Sequence, residues 1–162
     1  MTVTEFMERH GADHHAIDAR SCLQALEHQM DEGLAGRGPI PMLPSYLNTD
    51  IPVPQGAVCA VLDAGGTNLR TARALWNGSR WELEELQKQA MPGTGGLLSF
   101  DAFYAALAAP VQALGTFDRV GFCFSYNVSL DRSLDGPLDF WCKEVRVPEA
   151  VGRPVGASLA NA

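Results

Sequence analysis

The feature that most constrains the fold is a continuous apolar run over residues 57–62, which ends at Asp63. A run of this length without polar alternation predicts a strand buried on both faces. Residues 64–68 read Ala-Gly-Gly-Thr-Asn and predict a turn, after which residues 69–76 resume as a second strand. This segment therefore predicts two strands joined by a glycine-containing turn.

Turn residues and caps define the elements that follow. Asn-Gly-Ser at residues 77–79 predicts a hairpin into a third strand over residues 80–89, with Trp76 and Trp81 packing across it. Ser99 is a candidate N-cap, and Pro110 predicts a kink or break in the helix that it begins. A fourth apolar strand is expected over residues 120–125. The apolar face predicted for the helix comprises Phe100, Phe103, Tyr104, Leu107, Val111 and Leu114.

The two ends of the chain differ from this segment in the spacing of their apolar residues and in composition. Residues 13–35 have apolar side chains mostly three or four positions apart and predict one amphipathic helix, followed by a Pro- and Gly-rich connector. We therefore divide the chain into an N-terminal helix and connector at 1–50 and a lobe at 51–162. Near the end, Pro154 predicts the start of a helix of about nine residues whose buried face is Val155, Leu159 and Ala162. Because no stop signal follows, we expect the chain to break off inside that element.

Charge and composition exclude several classes of function. Twelve basic and nineteen acidic side chains give a net charge of −7, without a basic block, so a nucleic-acid partner is not expected. No apolar stretch approaches the roughly 20 residues of a membrane helix, and the N-terminus does not resemble a signal peptide. We therefore expect a cytoplasmic protein without a membrane partner. His10, His14 and His15 lie near Asp13, and we interpret them as a solvated cluster, since further metal ligands are missing.

The four cysteines lack the spacing of a metal or redox motif. Cys22, Cys59, Cys123 and Cys142 are far apart, and we expect all four to be reduced. Cys59 and Cys123 lie in apolar runs and are expected to be buried as small hydrophobic residues.

The strongest chemical signal is the segment from Asp63 to Arg70. A carboxylate at the end of a strand can hold Mg²⁺, and two glycines let the backbone turn sharply and bring successive N–H groups toward an anion. Thr67 and Asn68 add side-chain donors. The spacing alone is equally consistent with a tight glycine hairpin in which Asp63 only caps the turn. Walker-type and dinucleotide-binding glycine patterns are absent from the sequence.

Four segments, in order along the chain, resemble motifs of the hexokinase family. Leu62-Asp-Ala-Gly-Gly-Thr-Asn-Leu-Arg70 is similar to its phosphate motif L-D-x-G-G-T-N-x-R. Residues 30–34 with Met42-Leu-Pro-Ser-Tyr46 resemble the helix end and M-L-P segment that precede it. Val120-Gly-Phe-Cys-Phe-Ser-Tyr126 resembles the sugar-site strand L-G-F-x-F-S-[FY]. Asp135-Gly-Pro-Leu-Asp-Phe-Trp-Cys-Lys-Glu-Val145 resembles D-x-G-x-L-x-x-W-T-K-x-[FV].

The resemblance implies an α/β fold, the small lobe of an actin-like (ribonuclease H-like) ATPase with a mixed sheet, preceded by an N-terminal helix and cut short before the large lobe. It implies transfer of the ATP γ-phosphate to the 6-hydroxyl of a hexose, with glucose as the first candidate. Asp63 would bind Mg²⁺, and the ATP site would comprise Asp63, Gly65, Gly66, Thr67, Asn68 and Arg70. Arg70 is open between a ligand contact and an acidic neighbour.

The sugar site implied by the same resemblance comprises Ser125, Cys142 and Lys143. Lys143 suits sugar hydroxyls because an ammonium has three donors, although composition alone would favour a solvated surface lysine. Cys142 stands where the family has Thr, and a thiol is a weak hydrogen-bond partner, so sugar affinity or choice could differ. Asn127 replaces a common Pro.

The catalytic base of the family, an Asp in an Asn-Asp-Thr segment, has no counterpart in these 162 residues. The chain alone is therefore expected to be inactive, as half of a cleft. Two alternatives stay open at this point: a non-catalytic sugar-binding or regulatory module, and another actin-like ATPase or sugar kinase that shares only the phosphate hairpin. The Ser125 and Lys143 segments argue against the latter.

Overall fold

The computed structural model describes residues 1–13, 17–42 and 50–162, in two compact units, Met1–Ser45 and Tyr46–Ala162. His14 and His15 lie outside the described residues, as does the Met42-Leu-Pro-Ser-Tyr46 motif beyond Met42. None of the described helices is both long and apolar enough to cross a membrane.

The N-terminal unit contains two helices, α1 (Val3–Arg9) and α2 (Ala19–Leu34). A reciprocal capping box begins α1, because the Thr2 hydroxyl accepts from the Glu5 N–H while the Glu5 carboxylate accepts from the Thr2 N–H. Asp18 caps α2 by accepting from the backbone N–H groups of Arg20 and Ser21 in the first turn. The prediction of a single helix from residue 13 is therefore wrong at its N-terminal end, because Asp18 sets the start of α2 at Ala19.

The second unit is built on a four-stranded mixed sheet. Its strands are β1 (Val58–Ala64), β2 (Asn68–Trp76), β3 (Trp81–Ala90) and β4 (Arg119–Phe124), in the order β3-β2-β1-β4. β1 and β2 pair antiparallel, as do β2 and β3, whereas β4 runs parallel to β1. A second, small antiparallel pair consists of β5 (Asn127–Val128) and β6 (Leu138–Phe140). The mixed sheet predicted with the fold class is confirmed.

One helix covers one face of the sheet and completes the core. α3 (Phe100–Gln112) begins at Ser99, whose hydroxyl accepts from the Ala102 N–H at 3.3 Å, so the predicted N-cap is confirmed. α3 continues past Pro110 to Gln112, so a break at Pro110 is not observed. The largest fully buried side chains of the described residues are Tyr104, Phe103, Leu62, Leu69, Met91, Leu107, Leu138 and Val147.

The predicted burial of β1 on both faces is wrong. Ala60, Leu62 and Ala64 are buried, but the residues that alternate with them are only half-buried, because α3 packs against one face alone. The expected burial of two cysteines fails for a related reason, since Cys59 is half-buried and Cys123, on the edge strand β4, is exposed. All four cysteines lie within the described residues and are free thiols, as predicted.

The β2–β3 hairpin is confirmed, with an irregularity in the middle. Trp76 and Trp81 pair directly at its end, with ring centroids 5.4 Å apart. The register shifts between Thr71 and Arg73, so that two residues of β3, Glu85 and Leu86, lie opposite one residue of β2. Glu85 has a φ of 52°, the left-handed conformation that accompanies this bulge.

The final element, α4 (Val155–Ala160), follows a short 3₁₀ turn over Pro148–Ala150. It begins directly after Pro154, as predicted, and Val155 is buried. Ala162, predicted to be buried, lies beyond the helix end and is exposed. The Asp135 carboxylate accepts from the N–H groups of Gly136, Gly156 and Ala157 at 2.7–2.8 Å, which fixes the start of α4.

Candidate functional site

The parallel pairing of β1 and β4 brings two predicted site segments together. Asp63 in β1 lies opposite Cys123 in β4, so both strands end at the same edge of the sheet. The Ser125 N–H, immediately after β4, donates to the Ala64 carbonyl at 3.1 Å. The predicted sugar residue Ser125 and the predicted phosphate turn are therefore neighbours in space although about 60 positions separate them.

Asp63 and Arg70 form an ion pair across the β1–β2 ladder. They are register partners, and Arg70 Nη1 lies 2.7 Å from Asp63 Oδ2. Both side chains remain partly exposed, at 34% for Asp63 and 44% for Arg70. Arg70 therefore has an acidic neighbour in this structure and holds the Asp63 carboxylate at the edge of the sheet, while its contact with a ligand stays a prediction.

The turn between these strands leaves two backbone donors without a partner in the described part of the chain. The Gly65 N–H donates to the Asn68 carbonyl at 2.9 Å, and the Met91 N–H donates to the Thr67 carbonyl at 2.9 Å. Asn68 Nδ2 donates to Thr67 Oγ1. Among the described residues, no acceptor pairs with the N–H groups of Gly66 or Thr67. These two donors are available to an anion, and the exposed Thr67 side chain lies beside them.

The glycines of this turn are needed for space rather than for a left-handed backbone. Neither Gly65 nor Gly66 has a positive φ. A Cβ at Gly66 would lie 2.6 Å from Lys143 Cδ, and a Cβ at Gly65 would lie 3.0 Å from the Asn68 carbonyl oxygen. The Lys143 side chain therefore passes directly over Gly66, and a side chain at this position would displace the Lys143 stem.

Lys143 connects the turn to the sugar segment. Its Nζ donates to the Ser125 carbonyl at 2.8 Å and lies 5.1 Å from the centroid of the Tyr126 ring. The other two N–H groups of the Lys143 ammonium have no acceptor among the described residues and are available to a ligand hydroxyl. The predicted residues Ser125, Cys142 and Lys143 are all exposed. The structure brings Ser125 and Lys143 together, and Cys142 is the exposed residue immediately before Lys143.

Two aromatic residues to which the sequence analysis assigned no role organise this site. The Tyr126 hydroxyl donates to the Gly65 carbonyl at 3.0 Å. Burial raises the pKa of Tyr126 to about 12, with a smaller contribution from Cys142, so the phenol stays protonated as a donor. Trp141 packs edge-on against Tyr126 at 4.8 Å and donates from Nε1 to the Val147 carbonyl, which anchors the segment that carries Lys143. One sequence signal for the role of Tyr126 was available. The motif has Phe or Tyr at this position, and Tyr adds a hydroxyl that needs a hydrogen-bond partner.

The donor set is chemically suited to a magnesium-bound phosphate. Mg²⁺ binds through one or two carboxylates, several waters and substrate phosphates rather than through a protein cage. Asp63 supplies one exposed carboxylate, and the described residues contain no cluster of three or more His, Cys, Asp or Glu that could hold a metal without such help. A metal–nucleotide complex at the Gly66–Thr67 donors fits this arrangement, with polar sugar-like ligands at Ser125 and Lys143.

Comparison with known proteins identifies the family of this chain. A sequence model of the hexokinase family matches residues 3–162. Hexokinase-1 of Arabidopsis thaliana is 30% identical over 159 residues, covering 88% of this chain and 32% of that protein. Hexokinase-1 of Saccharomyces cerevisiae is 27% identical over 163 residues, covering 92% of this chain and 34% of that protein. The chain thus spans about a third of the length of these relatives.

The fold is also found among solved structures. The Schistosoma mansoni hexokinase complexed with glucose aligns with a TM-score of 0.58 at 23% identity, over 85% of this chain and 34% of that one. At this identity the likeness establishes the fold, a mixed α/β lobe. With the family match over nearly the whole sequence, the conclusion is that the chain belongs to the hexokinase family.

Proposed function

We propose that this chain supplies the sugar-binding segment and the first phosphate turn of an ATP-dependent hexose kinase. The reaction would transfer the γ-phosphate of ATP to the 6-hydroxyl of a hexose, with glucose as the first candidate. The observation that carries the proposal is Lys143, whose stem lies over Gly66 of the phosphate turn while its Nζ bonds to Ser125 of the sugar segment. Sugar and phosphate ligands at these residues would be held side by side.

The residues divide into two groups by their chemistry. Gly66 and Thr67 offer backbone donors, and Thr67 and Asn68 side-chain groups, to phosphate oxygens. Asp63 would hold Mg²⁺ together with those oxygens, and the ion neutralises phosphate charge when bound. Ser125 and Lys143 would hydrogen-bond the hexose, and Cys142 stands beside them where a hydroxyl residue would bind more strongly.

The 162 residues on their own are proposed to lack turnover. The Asp base expected from the family has no matching Asn-Asp segment in the sequence. Phosphoryl transfer requires donor, metal and acceptor to be aligned, and losing that alignment costs orders of magnitude in rate. Binding of sugar without turnover is accordingly the behaviour that we expect of the isolated chain.

The test measures glucose binding and ATP-dependent glucose phosphorylation by the 162-residue chain. Lys143→Met should weaken glucose binding about tenfold or more, because a charged hydrogen bond to the ligand is lost. Lys88→Met is the matched control: Lys88 is the only other lysine of the sequence and is exposed on β3. It removes the same charge and should leave glucose binding unchanged.

Three outcomes would contradict the proposal. Equal losses in Lys143→Met and Lys88→Met would remove Lys143 from the sugar site. Clear turnover by the isolated chain would contradict its inactivity. If the reading frame continues past Ala162, glucose binding without phosphorylation by its whole product would favour a non-catalytic sugar-binding module instead.

A further inference from the structure

The phosphate turn is tied to a side chain far away in the sequence. Tyr126 lies 61 positions after Gly65, and its hydroxyl donates to the Gly65 carbonyl at 3.0 Å. The Tyr126 residue is only 8% exposed. Phe124 and Trp141 pack against its ring, with centroids 4.9 Å and 4.8 Å away, so the hydroxyl has little freedom to leave the turn.

Lys143 contributes a second connection between the same two segments. Its stem occupies the space above Gly66, and its Nζ lies 5.1 Å from the Tyr126 ring centroid while bonded to the Ser125 carbonyl. The turn is thus bound at one glycine by the Tyr126 hydroxyl and covered at the next by Lys143. Both connections come from outside the turn, one from Tyr126 next to Ser125 and the other from Lys143.

A glycine pair has more backbone freedom than any other dipeptide, so its conformation depends on external contacts. Within the turn, the Gly65 N–H donates to the Asn68 carbonyl, and Met91, just after β3, donates its N–H to the Thr67 carbonyl. Neither bond engages the carbonyl of Gly65. This carbonyl and the Gly66 N–H belong to one planar peptide group, so the orientation of the carbonyl determines the direction of the Gly66 N–H. The Tyr126 hydroxyl fixes that carbonyl.

We propose that Tyr126 is a positioning residue, whose hydroxyl holds the Gly65–Gly66 peptide so that the Gly66 and Thr67 donors face a bound phosphate. It touches neither ligand in this role and acts through the turn. The nucleotide part of this inference rests on the proposed function, whereas the restraint of the turn does not. The phenylalanine ring alone would preserve the packing and lose the restraint.

The test compares Tyr126→Phe with Tyr104→Phe, the same chemical change at a second buried tyrosine. Tyr104 is 1% exposed, and its hydroxyl has no hydrogen-bond partner in the described part of the chain. The hydroxyl of Ser158, in its vicinity, donates to the Pro154 carbonyl. Amide hydrogen exchange of the Gly65 and Met91 N–H groups reports on the turn, and that of the Leu62 N–H in β1 reports on the lobe.

Tyr126→Phe should accelerate exchange at Gly65 and Met91 about fivefold to tenfold, as expected for the loss of one hydrogen bond, without a matching change at Leu62. Tyr104→Phe should leave all three rates unchanged. Unchanged rates at Gly65 and Met91 in Tyr126→Phe would overturn the proposal. Equal acceleration at Leu62, or the same acceleration in Tyr104→Phe, would also overturn it, because the effect would then be global.

A second measurement separates positioning from packing. MgATP and glucose affinities are determined by titration of both variants and the unmodified chain. Tyr126→Phe should weaken MgATP binding about fivefold while glucose affinity stays within about twofold, since one hydrogen bond is lost at the turn alone. Loss of both affinities together would overturn the positioning role. If the unmodified chain, as half of a cleft, binds no MgATP, the exchange rates alone decide whether Tyr126 holds the turn, and the proposed function is contradicted only if glucose binding is absent as well.

Discussion

β2 is flanked by two turns that differ in how they are held. At its far end, Asn77 Oδ1 accepts from the N–H groups of Ser79 at 2.9 Å and Arg80 at 3.0 Å, and Gly78 has a φ of 98°. At its near end, the Gly65–Gly66 turn receives Tyr126 from 61 positions away and is covered by Lys143. The side-chain hydrogen bonds of the first turn lie within its own hairpin, whereas the second turn also depends on a side chain from a distant segment.

Glycine occurs in both turns, but for two different physical reasons. Gly78 is favoured for its left-handed backbone, whereas Gly66 is favoured because the Lys143 side chain fills the space of its Cβ. A turn held locally can be changed with consequences for stability only. A turn held from a distance changes together with the segments that hold it, here the segments proposed to bind sugar.

The largest effect on stability is expected at Asp135. Like the contacts of Tyr126 and Lys143 with the glycine turn, its carboxylate joins segments that are far apart in sequence. Asp135→Ala removes the acceptor of two backbone N–H groups at the start of α4 and of the Gly136 N–H, and should lower the free energy of unfolding by about 2 kcal/mol. Urea denaturation at pH 7 measures it. A loss no larger than that of the local turn variant below would contradict the idea that distant connections dominate stability.

The same contact predicts a pH dependence with a definite sign. Burial of Asp135 alone would raise its pKa, but the donors of Gly156, Ala157 and Gly136 together hold the pKa below the ordinary value of 3.8. The folded pKa is therefore lower than the unfolded one, so the stabilisation is complete above the unfolded pKa and is lost as the pH falls through the folded pKa. The stability difference between the unmodified chain and Asp135→Ala should narrow below about pH 4 and be constant from about pH 6 to 8.

A smaller effect is expected at the local turn. Gly78→Ala places a Cβ at a φ of 98° and should cost about 1 kcal/mol of unfolding free energy, with no change in glucose or MgATP binding. Gly95→Ala is the matched control, because Gly95 has no positive φ and no atom lies within 4 Å of the place that its new methyl group would occupy. Altered ligand binding in Gly78→Ala would show that the two turns are not independent.

The smallest change in stability is expected at Gly66. Gly66→Ala gains about 0.5 kcal/mol from the lower entropy of the unfolded chain, which roughly offsets the displacement of the exposed Lys143 stem. Glucose binding should nevertheless weaken about tenfold, because Lys143 Nζ leaves its position at Ser125. Isothermal titration against Gly95→Ala measures this. Unchanged glucose binding would show that Lys143 reaches the sugar without passing over Gly66.

The features that could be predicted from the sequence are those with local determinants. The Asn77–Gly78 hairpin and the Ser99 cap were predictable because their determinants lie within a few residues. α1 was missed although Thr2 and Glu5 have capping-box spacing, because a helix of seven residues is too short to show a clear apolar period. That capping signal was local and available.

The remaining errors concern what packs against what. An apolar run cannot specify whether one or two layers cover a strand, so the half-buried face of β1 and the exposed Cys123 of β4 were not predictable. The resemblance to a family supplied Ser125 and Lys143 as candidates. The bond from Tyr126 to Gly65 required the parallel register of β1 and β4, which no local pattern encodes.

The bulge of β3 also bears on behaviour at high protein concentration. β3 is an edge of the sheet formed by the described residues, and its Leu83 and Leu86 are exposed, features that favour addition of a strand from another molecule. The left-handed Glu85 interrupts the row of edge N–H and C=O groups, and it adds a charge at the same point. An incoming strand would find no continuous ladder to extend, so β3 is protected against growth into an intermolecular cross-β assembly.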